Sequence, residues 1–108
     1  MKRRPAPNEQ VASSALQALS RALAGLVKAE DVRAFLQDLC TPAELEAMAD
    51  RWRVVPLLLK GVPYREIHDL TEVSVTTIGR VARTLESGTG GYASALRRQQ
   101  SRSSAVSQ

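Results

Sequence analysis

Apolar residues recur at helical spacing along most of the chain, and short polar or glycine-rich breaks divide them into segments. Over residues 9–28, Val11, Ala15, Leu19, Ala22, Leu23, Leu26 and Val27 follow one another at intervals of three and four, which is one helix face. Ala12, Leu16 and Ala18 widen that stripe beyond what a small domain needs for its own core. The surplus points to a partner helix, most economically from a second copy of the chain, with a fully buried core helix as the alternative. Residues 29–31 break the pattern. Val32, Phe35, Leu36 and Leu39 then mark a short second helix that opens at Glu30 or Asp31 and ends at Cys40.

A third helix starts with a strong local signal, Thr41-Pro42-Ala43-Glu44. Thr41 can cap it, Pro42 sits where a missing N–H is harmless, and Glu44 can return a bond to the cap. The helix continues through Leu45, Met48, Ala49, Trp52, Val55, Leu58 and Leu59, and Gly61 with Pro63 stops it. Pro56 lies inside it. A proline in a helix interior costs roughly 3 kcal/mol, so a kink or a break into two segments is expected there. Trp52 reads as core or interface packing.

The most informative stretch is residues 64–86, YREIHDLTEVSVTTIGRVARTLE. It reads as a helix over about 65–70 with Ile67 and Leu70 inward, a turn through Thr71, Glu72 and Val73, and a second helix over 75–85 opened by Ser74 as N-cap. The second helix buries Ile78, Val81, Ala82 and Leu85 and leaves Thr76, Thr77, Arg80 and Arg83 on the other face. Hydroxyls and arginines held out from a small apolar platform are what a major-groove reader needs. Two positions depart from the common helix-turn-helix pattern: His68, where a small residue is usual, and Glu72, where glycine usually supplies positive φ. An ordinary helical hairpin is the plainer reading, but it has no need of four such side chains on one exposed face.

Residues 87–91 hold three glycines, and Tyr92, Ala95 and Leu96 mark a short last helix ending near residue 98. The basic, proline-containing segment 1–8 and the polar, serine-rich segment 99–108 are expected to be disordered tails, leaving one domain over 9–98. The formal net charge of +4 is unevenly placed. Segments 1–8 and 87–108 each carry three positive charges and no acid, which leaves nine basic against eleven acidic residues between them. Basic ends can add salt-sensitive phosphate attraction or simply keep the chain soluble.

At 108 residues with 4% aromatics, the chain suits one modest core and lacks a base-stacking platform for single strands. Its one cysteine, Cys40, offers no disulfide framework or metal set and reads as a small buried hydrophobe in a reducing cytoplasm. No apolar run reaches membrane-spanning length, and the start shows no signal-peptide pattern. There is no phosphate-binding glycine loop, and His68, the sole histidine, has no plausible catalytic partners. The reading is therefore a binding protein with no cofactor, not an enzyme.

The run Asp38-Leu39-Cys40-Thr41, then Glu44-Leu45, Ala49, Arg51, Leu58-Leu59, Gly61, Tyr64, Ile67, Thr76, Thr77, Ile78, Arg80-Val81, Arg83 and Leu85 resembles the Trp-repressor superfamily. It is most similar to the short stand-alone YerC/YecD-type branch, as is GTGGYASAL at residues 88–96. The resemblance covers roughly residues 31–96, and more weakly the first helix. It implies an all-α fold of about six helices forming an intertwined homodimer, whose two recognition helices enter successive major grooves ~34 Å apart. It also implies that base contacts can run through water.

In that family a ligand lies between the capping end of the third helix and the recognition helix. Arg51 and Arg80 match the two arginines flanking it, Thr41 matches a capping threonine, and Thr84 stands where the tryptophan-binding repressor has serine. Val81 replaces a glycine that leaves room beside the ligand, which argues against tryptophan and leaves another small corepressor open.

The expected function is thus a homodimeric, cytoplasmic regulator of transcription acting as a repressor on double-stranded DNA. Arg65, Thr76, Thr77, Arg80 and Arg83 are the expected DNA contacts, with Lys60 and Arg83 on phosphate. The acidic balance of residues 9–86 keeps a second reading alive: a helical interaction adaptor that uses a helix-turn-helix scaffold without DNA readout.

Overall fold

The computed structural model describes residues 6–107, with side chains described over 8–102. Lys2, Arg3 and Arg4 of the basic first segment, and Gln108, lie outside the described residues. Six helices and no strand make up the described chain: α1 (Ala6–Gly25), α2 (Ala29–Leu39), α3 (Pro42–Leu59), α4 (Tyr64–Thr71), α5 (Val75–Ser87) and α6 (Gly91–Ser107). They fall into two compact units, Met1–Pro42 and Ala43–Gln108.

The first unit holds α1 and α2. Gly25 ends α1, and the Asp31 and Val32 N–H groups donate to the Lys28 carbonyl at 3.0 and 3.1 Å, which starts α2 without a side-chain cap. Glu30 and Asp31 in its first turn favour the positive end of the helix dipole. Leu19, Leu23, Leu26, Val32, Phe35 and Leu36 are half-buried, and no described residue from Asn8 to Cys40 is fully buried. Val11 and Leu16 stand open to solvent, and Val27 is 84% exposed.

The second unit has a true core. Val54, Val55, Ile67, Val73, Ile78 and Val81 are essentially solvent-free, walled by Trp52, Leu57, Leu58, Val62, Leu85, Tyr92 and Leu96. The Trp52 and Tyr92 rings are 6.5 Å apart at 38°. Of the kink or break expected at Pro56, the break does not occur: α3 runs through it as one helix. The reason lies beside it: Val54 and Val55 are both wholly buried. Such burial is worth roughly 1.5–3 kcal/mol per side chain, enough to offset the proline. The Lys60 N–H still reaches the Pro56 carbonyl at 3.1 Å.

Gly61 ends α3 as its sequence position promised. Its φ is 82°, its N–H donates to Leu58 O at 3.0 Å, and the Val62 N–H donates to Leu57 O at 3.1 Å. This paired closure needs a left-handed residue, which glycine supplies without strain.

Two further expectations are corrected. Leu70 does not face inward; it is 61% exposed, and Thr71 takes the inward position at 8%. The last helix does not stop near residue 98 but continues through Ser107. Gln99, Gln100 and Arg102 carry no apolar stripe, yet all three are good helix formers.

Candidate nucleic-acid interface

Polar side chains close the turn between α4 and α5 from within. The Thr71 hydroxyl donates to Ile67 O at 2.7 Å and accepts the Val73 N–H at 3.1 Å, so burying it leaves nothing unpaired. Glu72 follows in the left-handed region at φ 64°, and its N–H donates to His68 O at 2.7 Å. His68, on the last turn of α4, puts Nδ1 2.8 Å from Val73 O. The two positions that looked irregular in the sequence are therefore the two that shape the turn. An aromatic nitrogen able to reach a backbone carbonyl replaces a small residue, and a strained glutamate replaces glycine.

Ser74 opens α5 as expected. Its Oγ accepts the Thr77 N–H at 3.1 Å and donates to Thr77 Oγ1 at 3.0 Å. Ile78 and Val81 are buried and Leu85 is half-buried, which fixes the rotation of the helix. Thr76, Arg80 and Arg83 are then exposed on the opposite face. Thr77 differs from its sequence assignment: it is half-buried, and its hydroxyl belongs to the cap. Lys60, just past α3, and Arg65, in the first turn of α4, are exposed.

An open cleft of about 480 Å³ runs along the C-terminal half of α5, lined by Arg80, Arg83, Thr84, Ser87 and Gly88. The Thr84 hydroxyl donates to Arg80 O at 3.0 Å and the Ser87 hydroxyl to Arg83 O at 3.1 Å. Both hydroxyls bond main-chain carbonyls, so neither engages an arginine head group. A second cleft of about 290 Å³ is lined by Thr84, Leu85, Thr89, Gly90, Gly91, Tyr92 and Ala93.

Of the residues expected around a corepressor, Arg80 and Thr84 share the first cleft. Val81 lies in the hydrophobic core, 1% exposed, and lines neither cleft. Arg51 is exposed on α3 and is not among the residues lining either cleft. Thr41 belongs to the first unit.

Sequence reasoning passed over Val75. It is the first residue of α5 and is 51% exposed. The sequence reading used it only as the start of the helix and gave it no role. Among the described residues no group of three or more His, Cys, Asp or Glu side chains could hold a metal, and no helix is long and apolar enough to cross a membrane.

A short helix, a tight left-handed turn and a capped helix with cationic and hydroxyl side chains facing out define a helix-turn-helix of the DNA-binding kind. Residues 14–100 match the model of the Trp repressor protein family, and the chain belongs to that family of helical DNA-binding regulators. It is 36% identical over 83 residues to the uncharacterized protein YerC of Bacillus subtilis (strain 168), covering 77% of this chain and 80% of YerC. It also shares its fold with the crystal structure of a candidate Trp repressor from Staphylococcus aureus. That match has a TM-score of 0.77 at 32% identity, over 85% of this chain and 92% of the other.

Proposed function

We propose that this chain is a homodimeric transcriptional repressor that reads duplex DNA through α5 and does not respond to tryptophan. The observation that carries the reading is the division of α5 into a buried face, Ile78 and Val81, and an exposed face bearing Thr76, Arg80 and Arg83. The first turn of such a helix meets base edges, and arginines further along meet phosphate. Lys60 and Arg65 add cationic contacts at the approach to α4.

The dimer is supported by the first unit, which buries none of its described residues fully while Val11, Leu16 and Val27 stand in water. A second copy supplies the missing cover most economically. Two such chains present two reading helices, so the bound DNA carries two half-sites about one helical turn apart.

Selection from random duplexes in the presence of competitor DNA tests the reading. A recurrent two-part sequence is the expected result. Failure to retain any duplex would remove the DNA function and leave an interaction adaptor. Sedimentation at micromolar concentration tests the dimer, and a monomer there would overturn it.

A further inference from the structure

Two residues at the start of the reading helix cost the free protein something without any gain inside it. Val75 occupies the first position of α5, a β-branched apolar side chain that is 51% exposed and outside the core cluster. Gly79 lies one turn later, in the helix interior, where glycine is less favourable than alanine. Packing does not require glycine there: an added Cβ would meet only the Tyr64 ring, Cε2 at 3.9 Å, an ordinary contact.

These positions are one helical turn apart, so they are neighbours on one edge of α5 beside Thr76. The Ser74–Thr77 bonds at 3.0 and 3.1 Å pin the first turn, so Val75 is held in a fixed direction. On this edge Val75 is exposed and Gly79 is half-buried beside the Tyr64 ring, and the edge sits where a reading helix comes nearest to the bases. In the major groove, one group on a base edge is apolar: the C5 methyl of thymine.

We propose that Val75 and Gly79 form a methyl-reading edge that selects a T·A pair in the bound DNA, Val75 by contact with the thymine methyl and Gly79 by leaving the base room to approach. This rests on DNA readout by α5. It adds a specificity determinant distinct from the hydroxyl and arginine contacts, since neither residue can hydrogen-bond through a side chain.

The test uses the full chain and the duplex that it selects from a random pool. Each thymine is replaced in turn by deoxyuridine, which removes the methyl and keeps the pairing. Losing one buried methyl contact corresponds to about a fourfold drop in affinity. At least one position is expected to show that drop with the wild-type chain and none with Val75→Ser. No sensitive position, or equal sensitivity in Val75→Ser, overturns the inference while leaving DNA binding intact. No selected duplex at all overturns the functional reading beneath it. Gly79→Ala is the second variant. It is expected to raise Tm by about 2–6 °C, as a helix-interior glycine replaced by alanine does, and to weaken binding to the selected duplex. Unchanged affinity in that stabilised variant removes the clearance role of Gly79.

Discussion

The imidazole of His68 is bonded to the far side of the turn that its own helix enters: Nδ1 stands 2.8 Å from the carbonyl oxygen of Val73. A carbonyl can only accept, so Nδ1 donates the hydrogen of this bond. The bond joins the end of α4 to the residue just before the cap of α5. A net hydrogen bond of this kind is worth about 1 kcal/mol. His68→Ala is expected to lower Tm by about 4–8 °C in a domain of this size. An unchanged melting temperature by circular dichroism would show that the turn holds without it.

Glu72 gives the opposite prediction. Its φ of 64° is the left-handed region, which costs a residue with a Cβ roughly 1–2 kcal/mol. Glycine removes that strain but gains about 0.4–1 kcal/mol of freedom in the unfolded chain. Glu72→Gly is therefore expected to stabilise by roughly 0.5–1 kcal/mol net. Urea denaturation measures it directly, and a shift of the midpoint to lower urea would contradict the assignment of strain.

Arg83 is assigned to phosphate. Arg83→Ala is expected to weaken binding by a similar factor on every duplex and to reduce the slope of log affinity against log salt by about 1. Thr76→Ala is expected to leave the slope alone and change which sequences are preferred. Titrations at several salt concentrations separate the two, and an unchanged slope for Arg83→Ala would withdraw its assignment.

Tryptophan is not expected to stabilise the chain. Val81, where the tryptophan-binding repressor has glycine, is packed into the core at 1% exposure. A ligand present at 100 times its Kd would add about 2.7 kcal/mol. A thermal-shift titration with tryptophan is expected to be flat. A rise in Tm that saturates with ligand would restore the corepressor site and place Arg80 and Thr84 in it.

Much of this motif was legible from residue order. Ile78, Val81 and Leu85 fall at the spacing of one face of α5, and Ser74 stands where a cap must. Leu70 misled because apolarity outweighs Thr71 on any hydrophobic scale. Position 71 wins the interior because its hydroxyl can bond backward to Ile67 and forward to Val73, a local geometry that apolar periodicity does not encode. The same limit hid the role of His68, since a side chain reaching across a turn leaves no periodic trace. It also hid Val75, whose exposure depends on where the first turn of α5 is pinned. At Pro56 the local rule allowed a kink or a break, and with Val54 and Val55 wholly buried beside it α3 shows no break. The extension of α6 to Ser107 follows propensity where no apolar pattern announced it.

The side-chain bonds of Thr71, His68, Ser74 and Thr77 within the hairpin have a kinetic meaning. Each of these four side chains has its partner inside the hairpin. Little backbone freedom is left to lose on docking, and little rearrangement is needed between one stretch of duplex and the next. A hairpin locked in this way can be carried along DNA as a rigid body and test each site at the speed of diffusion, with no refolding step between encounters.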